Sequence, residues 1–244
     1  MFSFKLSCLL FVLMLLTATS FAGQLTILTE DSPPGNFIDD CGELQGLSVD
    51  IVREIMKRLE LDLTIKILPW ARSYKMLQKK PDVMLFSTTR TADRDKQFKW
   101  VGPLIKLEWV FLARKDSNVF ITSLDDARSV SQIGTYREDA RQQYLKAHGF
   151  TNLYSVNEMP QLLKMLDLKR VDLIATSKSL YKYCCGRHMN SLDKFRVVHT
   201  FKKAELFMAF SQKTDDSIVK QWQQIYDDLV EEGFVDTVNK KWLK

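Results

Sequence analysis

Residues 63–88 read LTIKILPWARSYKMLQKKPDVMLFST, and the change of period along this stretch decides the fold. Residues 63–68 and 83–88 are short apolar or alternating runs of strand type, and residues 70–80 between them read as a helix. Upstream, residues 25–29 (LTILT) form another strand run. Residues 47–60 place Leu47, Ile51, Ile55 and Leu59 on one helical stripe, with Gly46 as a break before it. The order is β-α-β-α-β. It recurs as a strand over 130–134, a helix over 136–148, a strand over 152–156, a helix over 158–169 and a strand over 171–177. Two α/β units therefore follow one another without sequence identity. Residues 109–120 are a long extended run that carries the chain from one unit to the other, and residues 204–214 carry it back. Ile218, Trp222, Ile225, Tyr226 and Leu229 then share one face of a helix that stops at Gly233. Such a chain crosses twice between its lobes, and its last helices complete the first lobe.

Composition narrows the function classes. Lys5, the apolar run Leu6 to Leu16 and the small-residue pattern Ser20-Phe21-Ala22 have the form of a signal peptide over residues 1–22, with the periplasm as the expected destination. The run is too short to span a bilayer, and no later stretch is apolar for long enough, so no membrane span is expected after cleavage. Cys8 precedes most of the apolar run and so is not placed as a lipid-anchor cysteine. A formal net charge of +5 is spread along the chain without a basic block, which argues against nucleic acid as a partner. Cys41, Cys184 and Cys185 are an odd number of thiols for an oxidising compartment. A bond between the adjacent pair would close a strained ring. No CxxC spacing or neighbouring histidine supports a metal, and no cofactor is expected.

Ligands of parallel α/β sheets bind beyond the carboxyl ends of the strands, where helix N-termini point N–H groups outward. In the first unit that position holds Ser87, Thr88, Thr89 and Arg90, then a short helix from about Thr91 with Asp93 and Arg94 in its first turn. In the second it holds Gly134 and Thr135, and Thr135 to Glu138 has the form of a capping box. If the lobes face each other, an anion between them meets Arg94, hydroxyls and two sets of backbone donors.

These residues are also where the chain resembles the bacterial extracellular solute-binding protein family 3, the binding proteins of polar amino acid ABC transporters. The resemblance rests on ILTEDSPPGNF, GELQGLSVDIVREIMKRL, PDVMLFSTTRTADRDKQFKWVGPL, VSQIGTY, LKRVDLIATS and EEGFVDTVNKKWL, in the family's order. It implies an α/β, two-lobed clamshell of the type II periplasmic binding proteins, with residues 23–112 plus 208–244 as lobe 1 and 113–207 as lobe 2. It implies that Arg94 clamps a ligand carboxylate with help from Thr89, a role that suits the planar, permanently charged guanidinium. It further implies donors at Gly134 and Thr135, and Glu30 reading the distal part of the ligand. Trp70 and Arg72 begin a helix at the same edge and are candidates for a stacking face and a second cation.

The chain departs from the family's pattern at Ser177, which stands where amino acid binders carry the aspartate that holds the ligand ammonium. A hydroxyl cannot balance a desolvated ammonium as a carboxylate does. The expected function is a monomeric, non-catalytic receptor that captures a small carboxylate-bearing solute for an ABC permease. Two alternatives stay open: a sensory protein serving a membrane receptor, and an enzyme of the same fold such as a cyclic-carboxylate dehydratase. HExxH, GxSxG and GxxxxGK[ST] motifs are absent, and His148, His188 and His199 lie in unrelated contexts.

Overall fold

The computed structural model describes residues 25–157, 159–187 and 194–243. The signal segment and the side chains of Cys184 and Cys185 lie outside the described residues. The chain begins with β1 (Thr26–Thr29), a small hairpin of β2 (Phe37–Ile38) and β3 (Leu44–Gln45), α1 (Leu47–Arg58), β4 (Ile65–Ile67), α2 (Trp70–Lys79) and β5 (Val83–Thr89). A short helix α3 (Ala92–Asp95) leads into the long strand β6 (Phe98–Arg114). The second unit contains β7 (Ile133–Tyr136), α4 (Ala140–Ala147), β8 (Leu153–Val156), α5 (Met159–Asp167), β9 (Leu173–Ser177) and α6 (Lys178–Arg187). The long strand β10 (Phe195–Ser211) returns, followed by α7 (Asp216–Glu231) and α8 (Phe234–Trp242).

Eight strands make one sheet in the order β4-β1-β5-β10-β6-β9-β7-β8. Its two ends are built alike. β1 lies parallel between β4 and β5, as β7 lies parallel between β8 and β9. β5 then pairs antiparallel with β10, β9 pairs antiparallel with β6, and β6 and β10 pair with each other. Two parallel blocks are thus joined through one antiparallel pair of long strands, which is the two-lobed α/β clamshell that the family resemblance implies.

Both crossing strands begin earlier than the sequence suggests. Gly102-Pro103 reads as a break in front of residue 109, yet pairing continues across it, because Leu206 opposes Ile105 while Met208 opposes Val101. A bulge on β6 absorbs the irregular dipeptide. The helix expected over 136–148 is shorter and capped differently. Tyr136 continues β7 opposite Val156, and Asp139 caps α4 by accepting from the Arg141 N–H at 2.8 Å. Thr135 therefore lies inside the strand and is not a capping residue.

α7 and α8 pack on the first lobe. Trp222, 1% exposed, meets Phe210 edge-on at 5.7 Å in a core that includes Ile51, Ile55, Val101 and Leu229. Gly233, at φ 76°, provides the left-handed turn between the two helices, and Trp242 Nε1 and Lys241 Nζ both donate to Asp50 of α1 at 2.8 Å. Cys41 is an exposed free thiol.

Because Trp222 is enclosed on every side, Trp222→Ala should cost about 3–5 kcal/mol of stability. Chemical denaturation followed by circular dichroism measures this. A loss under about 1 kcal/mol would show that α7 is not part of the lobe's core.

Candidate ligand site between the lobes

The hydroxyl-rich end of β5 is committed to the protein itself. Across the β5–β10 ladder, Thr88 opposes Phe207 while Leu85 opposes Ala209, so β5 carries an extra residue there. Within this bulge Ser87 takes φ 58°, an unusual conformation for a residue with a Cβ. Its hydroxyl donates to Asn36 Oδ1 and shares a second hydrogen bond with the Ser48 hydroxyl at 2.9 Å. Asn36 Nδ2 in turn donates to the Glu30 carbonyl, so the bulge on one strand fixes the backbone beyond another. Thr88 Oγ1 donates to the Leu85 carbonyl at 2.9 Å. Thr89 is buried and accepts through its carbonyl from Arg94 Nη1 at 3.4 Å.

Arg94 is 1% exposed. Thr91 caps its short helix, and the guanidinium lies over the rings of Tyr74 at 4.6 Å and Trp70 at 5.2 Å. Its remaining partners come from the opposite lobe. Nη2 donates to the Glu138 carbonyl at 3.2 Å and to Gln143 Oε1 at 2.9 Å, and Nε donates to the same Gln143 oxygen at 3.2 Å. The Glu138 carbonyl also accepts from Trp70 Nε1 at 2.8 Å and from Gln143 Nε2 at 3.2 Å. Glu138 presents it by taking φ 58°, with its own N–H held by Gln142 Oε1 at 2.9 Å. Burial lowers the Arg94 pKa, but an arginine stays charged. These hydrogen bonds join a buried cation to neutral acceptors on both lobes.

A cavity of about 410 Å³ lies between the lobes, beside this contact. Its walls come from the ends of both parallel blocks and from the crossing strand, with Leu68, Leu112, Tyr136, Leu162, Ile174 and Thr176 among them. It is apolar over most of its surface, and its polar lining includes Glu30, Asp31, Asn157 and Thr176. The size falls in the range of small-molecule sites.

Glu30 sits in a cluster of charges drawn from both lobes. The Tyr136 hydroxyl bonds the Glu30 carboxyl and accepts from the Trp70 N–H at 3.3 Å. Next to them, Asp139 and Arg141 form a buried ion pair, with Nε–Oδ1 at 2.6 Å and Nη2–Oδ2 at 2.9 Å. Burial alone would raise Asp139, but the Arg141 charge outweighs it and holds the carboxyl low. Glu30 has no such partner. Loss of water and the neighbouring Asp139 charge push its carboxyl up to about 8, against weaker opposing pulls from Tyr136 and Arg141.

Of the residues marked by the sequence, only Glu30 lines this cavity. Arg94 and Thr89 do not line it, and Arg94 lies against the rings of Trp70 and Tyr74. Trp70 is buried, and its indole reaches across to Glu138 instead of lining the space, whereas Pro69 and Leu68 do line it. Arg72 is exposed on α2. Thr135 is fully buried among Tyr154, Ser155 and Gln142. Ser177 turns away to accept from the Leu180 N–H at 3.3 Å at the start of α6. The last two share one cause: side chains alternate along a strand, so the cavity receives Tyr136 and Thr176, each one residue away. Sequence reasoning missed Tyr136, Asp139 and Arg141, whose signal was the aspartate two residues before an arginine at a helix start. Among the described residues, no three of His, Cys, Asp and Glu come together to hold a metal ion.

A cavity between two α/β lobes joined by a pair of long strands is the architecture of the clamshell binding proteins. Residues 25–244 match the family model of the bacterial extracellular solute-binding proteins, family 3, and the chain belongs to that family. Among named relatives, the L-cystine-binding protein TcyA of Bacillus subtilis is 24% identical over 225 residues, 90% of this chain and 81% of that protein. A probable amino-acid ABC transporter-binding protein of Haemophilus influenzae is 24% identical over 214 residues, 86% of this chain and 80% of that one. In solved structures the fold recurs in an ancestral arginine-binding protein bound to arginine, with TM-score 0.80, 19% identity and coverage of 91% of this chain and 100% of that one. It recurs also in a histidine kinase sensor domain similar to periplasmic binding proteins, with TM-score 0.81, 21% identity and coverage of 89% and 96%.

The raised Glu30 pKa sets a pH dependence. The folded, closed protein keeps a proton on Glu30 up to about 8, whereas a carboxyl with its ordinary value of 4.5 releases it earlier. This contribution to stability is complete below the lower value and is lost as pH rises through the window between the two. Glu30→Gln cannot ionise, so the thermal midpoint of the wild type should fall relative to the variant as pH is raised across that window. Parallel midpoint curves for the two proteins would contradict the assignment.

Proposed function

We propose that this protein is a periplasmic solute receptor of an ABC transporter, which takes a small solute into the cavity between its lobes and presents the closed form to a permease. The observation that carries the reading is the cavity of about 410 Å³ walled by both lobes and by the strand that crosses between them, in a member of this family. Closure needs only that the solute bind the closed state better than the open one. The moving bodies are residues 23–112 plus 208–244 and residues 113–207, and the bend falls in β6 and β10. A binding role agrees with the family and with the cystine-binding and amino-acid transporter relatives. A sensory role is the second reading, favoured by the likeness to a kinase sensor domain; it uses the same cavity and differs in the membrane partner.

The sequence pattern led to a carboxylate-bearing solute clamped by Arg94. We place the solute beside Glu30 and treat Arg94 as a tie between the lobes, because a ligand carboxylate would have to displace Glu138 and Gln143 from the guanidinium.

A thermal-shift screen of amino acids, amines and organic acids tests the receptor reading, since a ligand of the folded state raises the midpoint with concentration. Ile174→Trp fills part of the cavity and should abolish the shift that an active solute gives to the wild type, with the circular dichroism spectrum unchanged. A shift that survives the substitution, or conversion of the solute seen by mass spectrometry, would overturn the proposal.

A further inference from the structure

Among the polar contacts between the lobes, those of Arg94 and Trp70 use a guanidinium, an indole N–H, a backbone carbonyl and a carboxamide. None of these groups titrates in the ordinary pH range. The contact between Glu30 and the Tyr136 hydroxyl is different, because it contains a carboxyl. Glu30 follows β1 in the first lobe, where the Asn36 side chain holds its backbone carbonyl. Tyr136 ends β7 in the second lobe, and its hydroxyl also accepts from the Trp70 N–H at 3.3 Å. Tyr136 and Asp139 are both buried, so closure brings a carboxyl of one lobe against a carboxylate of the other where little water reaches them.

The charged and titratable groups around Glu30 are Asp31 beside it, Tyr136 on β7, and Asp139 and Arg141 at the start of α4. Arg94 acts further back, on Asp139. Arg141 directs two side-chain hydrogen bonds to Asp139, at 2.6 and 2.9 Å, and its backbone N–H adds a third at 2.8 Å. That ion pair lies within the second lobe and is complete before Glu30 arrives. The carboxyl that closure adds meets a hydroxyl and a guanidinium already engaged with another carboxylate. A neutral acid suits such a place better than an anion does.

Resting on the hinged motion of the receptor reading, we propose that closing the lobes takes up one proton at Glu30, so that the ligand-free protein is drawn shut in mild acid and opens as the pH rises. In the open form water solvates the carboxyl, which keeps its ordinary value of 4.5, whereas in the closed form burial and then the Asp139 charge push it up to about 8. Closure is therefore most favourable below the lower value, weakens about tenfold per pH unit between the two, and changes no further above the higher one. The contacts of Arg94 and Trp70 act at every pH and set the level about which this dependence runs. A receptor drawn shut without solute must open to admit one, so acid slows loading.

Small-angle scattering of ligand-free protein in line with gel filtration reads the separation of the lobes, under reducing conditions because Cys41 is an exposed free thiol. From about pH 5 to about pH 8.5 the wild-type radius of gyration should increase, while Glu30→Gln, which is neutral throughout, should stay compact. A wild-type radius that is constant or falls overturns the inference, and so does a Glu30→Gln variant that expands in parallel with the wild type. The wild-type series decides by itself if the variant fails to fold. Arg94→Ala, measured at the same pH values, separates the coupling from the receptor reading. If it expands while the wild type does not respond to pH, the lobes part without a proton and the coupling alone is wrong. If neither the substitution nor the pH changes the radius, the lobes do not separate, and the moving bodies of the receptor reading fail with the inference.

Discussion

The structure depends on how a buried guanidinium is satisfied without a carboxylate. Arg94 stands at the start of a one-turn helix, enclosed by Trp70 and Tyr74, and its positive charge must find acceptors. They are supplied from the other lobe by Gln143 and by the Glu138 carbonyl, which also receives the Trp70 indole. A hydrogen bond to a charged group is worth about 1.5–3 kcal/mol, and a charge left without one costs more. Separation of the lobes would take Glu138 and Gln143 from Arg94 and, with the same Glu138 carbonyl, the acceptor of Trp70. Water can replace these partners in an open form, so the contact biases the position of the lobes without locking it.

This arrangement shapes the cavity beside it. Because Arg94 faces Glu138 and Gln143, and Arg141 is paired with Asp139, the space between the lobes has no free cation among its described lining residues. Glu30 is buried there beside the Asp139 charge, and its carboxyl keeps a proton up to about 8. One apolar cluster takes Leu28, Trp70 and Leu85 from the first lobe and Tyr136, Leu162 and Ile174 from the second, so closure buries apolar surface as well as aligning polar groups.

The alternation of strand and helix periods over residues 63–88, repeated in the second unit, was enough to reach two α/β blocks, and Trp222 with Leu229 foretold that the C-terminal helices return to the first. The site was less legible, for reasons that particular residues make plain. Thr135 and Ser177 were each one position from the residue that faces the cavity, and a one-residue error along a strand exchanges its two faces. The serine and threonines after β5 looked like ligand contacts because their positions were right, but the bulge at Ser87 turns them to Asn36, Ser48 and Leu85. The left-handed backbone at Glu138 had no signal at all, since glutamate does not mark positive φ as glycine does. Glu30 reaches the cavity wall because it follows the first strand directly and its place depends on little else.

The central claim is that Arg94 joins the lobes instead of gripping the solute, and small-angle scattering of ligand-free protein tests it most directly. The account predicts a larger radius of gyration for Arg94→Ala than for the wild type under the same conditions, as the lobes part about β6 and β10, with secondary structure unchanged. An identical radius for the two proteins, together with loss of solute binding in the variant, would contradict it and return Arg94 to the ligand.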